Sequence, residues 1–210
     1  MERGKRERPD VRKLAGFLGA VLVNSLATTA ILTVDVMWVK HFFAPFDAGV
    51  YAAMSTLGKI IFYGAMPVGA VMFPIISRRY AQGAGYAKVL WGSLGLSGIM
   101  AAGLVGIYWL FPEMVIRLLY GSAYLGEARL LVWFGVFMAC FVLAAILLNF
   151  YLSIERTRAV GLAVAAAVGQ SAGIWVWHGS LKQVIWVSVV VSAGLLAGLL
   201  GYLNYVFKKA

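Results

Sequence analysis

Two ionisable residues, Asp35 and Lys59, stand inside long apolar runs of this 210-residue chain, and they are the side chains with chemistry to offer there. A charge in lipid is costly and is kept where it faces water, a ligand or an opposite charge. A lysine so placed can hold an anion. A carboxylate can pair with that lysine, or take up a proton or a cation. Between Lys13 and Lys40 the first apolar run centres near Leu26, which puts Asp35 roughly 13 Å from the membrane midplane at ~1.5 Å per helical residue. The second run, from Asp47 to Arg78, centres near Phe62 and puts Lys59 only ~5 Å from it. A lysine stem can lean across most of that ~8 Å difference in depth, so both side chains are expected to face one interior. Two arrangements compete, an ion pair that fixes the first two helices or a hydrated cavity in which Lys59 meets an anionic substrate group, with a lipid-facing lysine that snorkels outward as the remaining reading. Asn24, Asn149 and Gln170 are the uncharged candidates to line such a cavity. Ser25, Thr28, Thr29, Ser55, Thr56 and Ser171 count for less, because hydroxyls often bond their own helix backbone.

Other chemistry is scarce. Seven of the eight acids (Glu2, Glu7, Asp10, Asp47, Glu113, Glu127 and Glu155) fall in the tail, in loops or at helix ends. No paired carboxylate, HExxH, nucleophile elbow or P-loop is present, so an enzyme is not expected. Cys140 is alone in an apolar run and reads as a packing residue. His41 and His178 sit beside expected helix ends with no acidic or cysteine cluster, so neither a metal nor any other cofactor is expected. The net charge of +10 does not point to nucleic acid. Six basic residues crowd into positions 1–13, as in a membrane-surface anchor drawn to anionic lipid. A secretory signal is the competing reading, but the apolar stretch from Leu14 to Val39 is too long for one and lacks a convincing cleavage site.

The elements that must carry these residues are membrane helices. Hydrophobic residues make up 62% of the chain and charged residues 12%, with mean hydropathy +0.88, far from the balance of a soluble domain. The apolar runs are long and continuous, unlike the ~10-residue alternating segments of a membrane β-barrel. The expected fold is an all-α bundle: a basic segment over 1–13, then a six-helix transmembrane domain over 14–210. The spans read as 15–39, 50–76, 87–111, 129–152, 158–177 and 184–206, with a short interfacial helix from Glu113 to Tyr120. Thirteen of the eighteen Lys and Arg residues fall in the N-terminus, the second and fourth inter-span loops and the tail. That bias predicts both termini in the cytoplasm of a cell-membrane protein. Gly161, Ala165, Gly169 and Gly173 recur every four residues, a pattern for close helix approach, read first as packing within the chain and second as a subunit interface. Pro67 and Pro74 predict a bent second span.

Several of these stretches, in order, resemble a known family. Asp35-x4-Lys40, Ala48-Gly49-Val50-Tyr51-Ala52-Ala53 and Leu57-Gly58-Lys59-Ile60 are similar to the start of the second half of polysaccharide and O-antigen flippases, in the multidrug/oligosaccharidyl-lipid/polysaccharide exporter superfamily. Phe73-Pro74-Ile75-Ile76-Ser77-Arg78, Phe111-Pro112-Glu113 and Leu118-Leu119-Tyr120-Gly121-x2-Tyr124 resemble later parts of that half. The motifs cover residues 15–155, and the rest matches by hydropathy. The resemblance implies flipping of a polyprenyl-diphosphate-linked oligosaccharide, with Lys59 meeting the diphosphate and Asp35 its partner or a site of ion coupling. Membrane lipids, a second copy of the chain or a missing N-terminal half are the implied partners, since the family carries two six-helix halves. The readings from other classes are a non-transporting scaffold of a polysaccharide-assembly complex and a small-molecule antiporter, which would need more acidic residues in its cavity.

Overall fold

The computed structural model describes residues 11–122 and 124–208, the side chain of Lys13 excepted. Of the expected basic segment, only Val11, Arg12 and Lys13 fall within this range. The described residues form seven α-helices and two 3-10 turns, with no strand among them. In chain order these are α1 (Val11–Phe42), α2 (Pro45–Ala81), α3 (Ala87–Leu110), α4 (Pro112–Tyr120), α5 (Leu130–Ser153), α6 (Val160–Val176) and α7 (Leu181–Lys208). Six of them are long and apolar enough to cross a membrane, so the chain is a multi-pass membrane protein by length and composition. The exception is α4, nine residues with charge on one face and Met114, Leu118 and Leu119 exposed on another.

The first, second and last spans overrun their expected bounds at both ends, while the other three agree with theirs to within two residues. The largest shift is at α2, which begins at Pro45 rather than near residue 50. Pro45 occupies the first helical position, where its missing N–H costs nothing, and Asp47 in the first turn complements the helix dipole; the turn-like composition around Pro45 is a helix start. At 37 residues, α2 is about 55 Å long against a hydrocarbon core of ~30 Å. It runs unbroken as helix through Pro67 and Pro74.

The centre of the bundle is α5, whose mean hydropathy of 2.7 is the highest of the six. It packs on α2, α3 and α7, while α1 packs mainly on α6. A helix apolar all round belongs in the middle of a bundle, and α5 buries Phe134, Phe137, Phe141 and Phe150. Contact at this density needs missing side chains opposite those rings. A methyl group on Gly58 of α2 would sit 3.1 Å from Cβ of Phe134, and one on Gly135 of α5 would sit 3.2 Å from both Tyr108 and Val105. Two buried tyrosines tie helices together through backbone: the Tyr108 hydroxyl donates to the Leu57 carbonyl at 2.7 Å, and that of Tyr151 to the Leu199 carbonyl at 2.7 Å.

Ring contacts sort the turns to two ends. Tyr86, beside the α2–α3 turn, lies 5.8 Å from Phe150 and 6.3 Å from Phe207, and the Arg156 charge reaches its hydroxyl. The Arg-bearing turns and the end of α7 therefore share one end. At the other, Phe42 stacks on His178 at 3.8 Å, Trp38 meets Trp175 at 4.9 Å, and Phe46 meets Tyr124 at 6.0 Å. The small-residue row on α6 does not pack within the chain as expected. Gly161 and Gly169 have nothing within 4 Å of a would-be methyl group, and only Gly173 is engaged, 2.7 Å from Val187. The row turns outward because α6 presents Ala163, Gln170 and Ile174 inward instead.

Gly58→Leu should destabilise the bundle by about 1–3 kcal/mol, the usual cost of overpacking. Gly103→Leu, at an exposed position with open space around it, should leave thermal unfolding in detergent unchanged.

Candidate functional site: a polar groove and a buried carboxylate cluster

A cavity of about 650 Å³ opens between α1, α2 and α5. Its α1 wall carries Asn24, Ser25, Thr28, Thr29 and Thr33, a polar stripe at helical spacing. Lys59 enters from α2 and Asn149 from α5, and Phe62, Tyr63, Met66 and Phe73 supply apolar and aromatic surface. Thr33 donates to its own helix at the Thr29 carbonyl, 2.8 Å away. Asn24 is only 9% exposed, and its Oδ1 has no hydrogen-bond partner. A buried orphan acceptor costs about 1–3 kcal/mol, which water or a ligand hydroxyl in the groove would recover. The Asn149 amide is held against Gly69, where a methyl group would come within 3.2 Å of Nδ2. Lys59 makes no hydrogen bond or ion pair among the described residues, so its ammonium is free to meet an anion.

Asp35 is elsewhere. It is fully buried, and its Oδ2 accepts a hydrogen bond from the Tyr51 hydroxyl at 3.0 Å. Ser188 of α7 lies beside that hydroxyl, and its Oγ accepts from Nε2 of Gln170 at 2.9 Å. Asp35, Tyr51, Gln170 and Ser188, all fully buried, thus join α1, α2, α6 and α7 in one polar cluster. Two acceptor oxygens within it, Oδ1 of Asp35 and Oε1 of Gln170, have no partner. A buried carboxylate oxygen without a partner can be satisfied by a proton or by a small cation. Among the described residues no group of three His, Cys, Asp or Glu side chains gathers to hold a metal.

The structure therefore divides the five residues singled out from sequence. Asn24, Lys59 and Asn149 meet in the groove; Asp35 and Gln170 meet in the buried cluster. Lys59 acts on Asp35 electrostatically, but the two form no ion pair, and the expectation of one shared interior does not hold. Asp35 lies inside the α1–α2–α6–α7 packing, with Tyr51 taking its hydrogen bond. Ser171 is also outside the groove, accepting from the Trp38 indole N–H at 2.9 Å.

Sequence reasoning passed over Tyr51 and Ser188. Asp35 stands seven residues before the end of α1, and Tyr51 six after the start of α2. Across a short turn between antiparallel helices these are the same depth, a signal that could have paired them. For Ser188 no such signal exists, because its partners Tyr51 and Gln170 come from two other helices.

Tyr51→Phe should lower stability by about 1–3 kcal/mol by stranding a buried acceptor, and the double change with Asp35→Leu should recover part of the loss in thermal unfolding. A further loss in the double variant would contradict the pairing. Comparison of the chain with family models, curated proteins and solved structures finds no match.

Proposed function

We propose that this chain is a membrane transporter subunit that flips a polyprenyl-diphosphate-linked oligosaccharide across the cytoplasmic membrane, with both termini in the cytoplasm. The observation that carries this reading is the uncommitted Lys59 ammonium in a groove otherwise lined by amides, hydroxyls and aromatic rings. An anionic diphosphate would neutralise the lysine. Sugar hydroxyls would match Asn24 and Asn149, and sugar rings would lie on the aromatic wall. The sequence resemblance to polysaccharide flippases supports the same substrate class. The groove is open along one side, and a second six-helix unit, either another copy or a preceding half, would close it around a substrate.

Asp35 takes the part of the coupling group. Its buried carboxylate belongs to a cluster that joins four helices, so loading or releasing a proton or cation there would bias how those helices pack. The groove sets this reading above the scaffold alternative, since a scaffold has no use for a membrane-depth lysine beside open space. A drug antiporter would place a carboxylate in its cavity, whereas Asp35 lies outside the groove.

The test is transfer of a fluorescent polyprenyl-diphosphate glycan across reconstituted vesicles. Lys59→Ala should cut transfer by at least about tenfold, as for a desolvated charge contact worth some 1.5–3 kcal/mol, while insertion and folding persist. Lys59→Arg should retain part of it. Normal transfer by Lys59→Ala would sink the proposal.

A further inference from the structure

The geometry points to a second site, on the outside of the bundle: a groove between α2 and α3 that takes one acyl chain of an anionic phospholipid, with Lys88 at its phosphate. The groove encloses about 440 Å³ and runs between Pro67, Val71 and Ile75 on one wall and Lys88, Gly92 and Leu96 on the other. From residue 67 to residue 75 it extends about 12 Å along the helix, close to one leaflet's half of a ~30 Å hydrocarbon core. Its floor is Met72, which is buried, while Val71 and Leu96 are 62% and 52% exposed at the rims. Open space lies beside Gly92, where a methyl group would meet nothing within 4 Å.

Charge selects the occupant. The groove is apolar along its length and ends at Lys88, on the end of the bundle that also carries Arg78, Arg79 and Arg156. Lys88 has no hydrogen bond or ion pair among the described residues. Arg79, by contrast, is tied to the Gly85 carbonyl at 2.9 Å. Trp91, 55% exposed, lies one turn along α3 from Lys88, where an indole sits well at the headgroup level. An apolar helix in the groove would make no use of the exposed Lys88 ammonium at its end, and a zwitterionic lipid, whose own cation offsets its phosphate, would be drawn to it less strongly than an anionic one. An anionic phospholipid satisfies both parts: the chain fills the groove and the phosphate meets the ammonium. The site uses none of the residues of the polar groove.

The test is photocrosslinking in nanodiscs of equal parts phosphatidylglycerol and phosphatidylcholine, with a diazirine on the acyl chain of one lipid at a time and mass-spectrometric mapping of adducts. Phosphatidylglycerol should label residues 67–75 and 88–96 above the other outward-facing helix surfaces. Lys88→Ala should cut that labelling about fivefold, the worth of one lysine near an anionic headgroup, towards the phosphatidylcholine level. Gly92→Trp should abolish it with circular dichroism unchanged. Should that variant not fold, Val71→Trp from the opposite wall must give the same loss. Equal labelling by the two lipids, or labelling spread over all outward faces and unmoved by the groove-filling variants, overturns the proposal.

Discussion

A lysine partway along a membrane helix must find water or an opposite charge, and the arrangement of this bundle follows from which of the two Lys59 is given. Its nearest rival for a partner, Asp35, is engaged by Tyr51 in a separate interior cluster. Lys59 opens instead into the α1–α2–α5 groove. Hydrocarbon offers nothing to a charge there, so the groove must hold water or an anion, and the polar stripe of α1 is what makes water tenable. The packing on the other face of α2 supports this. Gly58, adjacent to Lys59, seats Phe134 of α5, which turns the lysine away from the α5 contact and towards the opening.

The same constraint accounts for the interhelical hydrogen bonds. Lipid gives helices no hydrophobic reason to associate, so packing and polar contacts must hold them. Tyr108 and Tyr151 reach backbone carbonyls of neighbouring helices, contacts worth about 0.6 kcal/mol on average in membranes. They join α3 to α2 and α5 to α7. The Asp35 cluster spans α1, α2, α6 and α7. It differs from the tyrosine contacts in leaving two acceptors unsatisfied, Oδ1 of Asp35 and Oε1 of Gln170.

The helical architecture was legible in the sequence because hydropathy is a local signal. Each of the six spans, and the short helix after Phe111, can be read from its own residues. The groove was half legible. Lys59, Asn24 and Asn149 stood out as costly polar residues at membrane depth, and they do meet. What could not be read was which polar residues share a face. Depth along a helix follows from counting, but rotation about it depends on neighbours distant in sequence, so Asp35 was grouped with Lys59 rather than with Tyr51 and Gln170. The α6 glycine row failed for the same reason: its spacing places the residues on one face without saying which way that face turns.

The central claim is that the groove around Lys59 is filled with water inside the membrane. The direct measurement is labelling by a membrane-impermeant maleimide in a Cys140→Ser background, with one cysteine at Thr29 in the groove and another at Val71 on the outer face. The account expects rapid labelling of Thr29→Cys, slowed in Lys59-neutralised variants by loss of the charge that keeps the groove hydrated, and none of Val71→Cys. Labelling of Thr29→Cys no faster than Val71→Cys would mean that the groove is dry, and would contradict it.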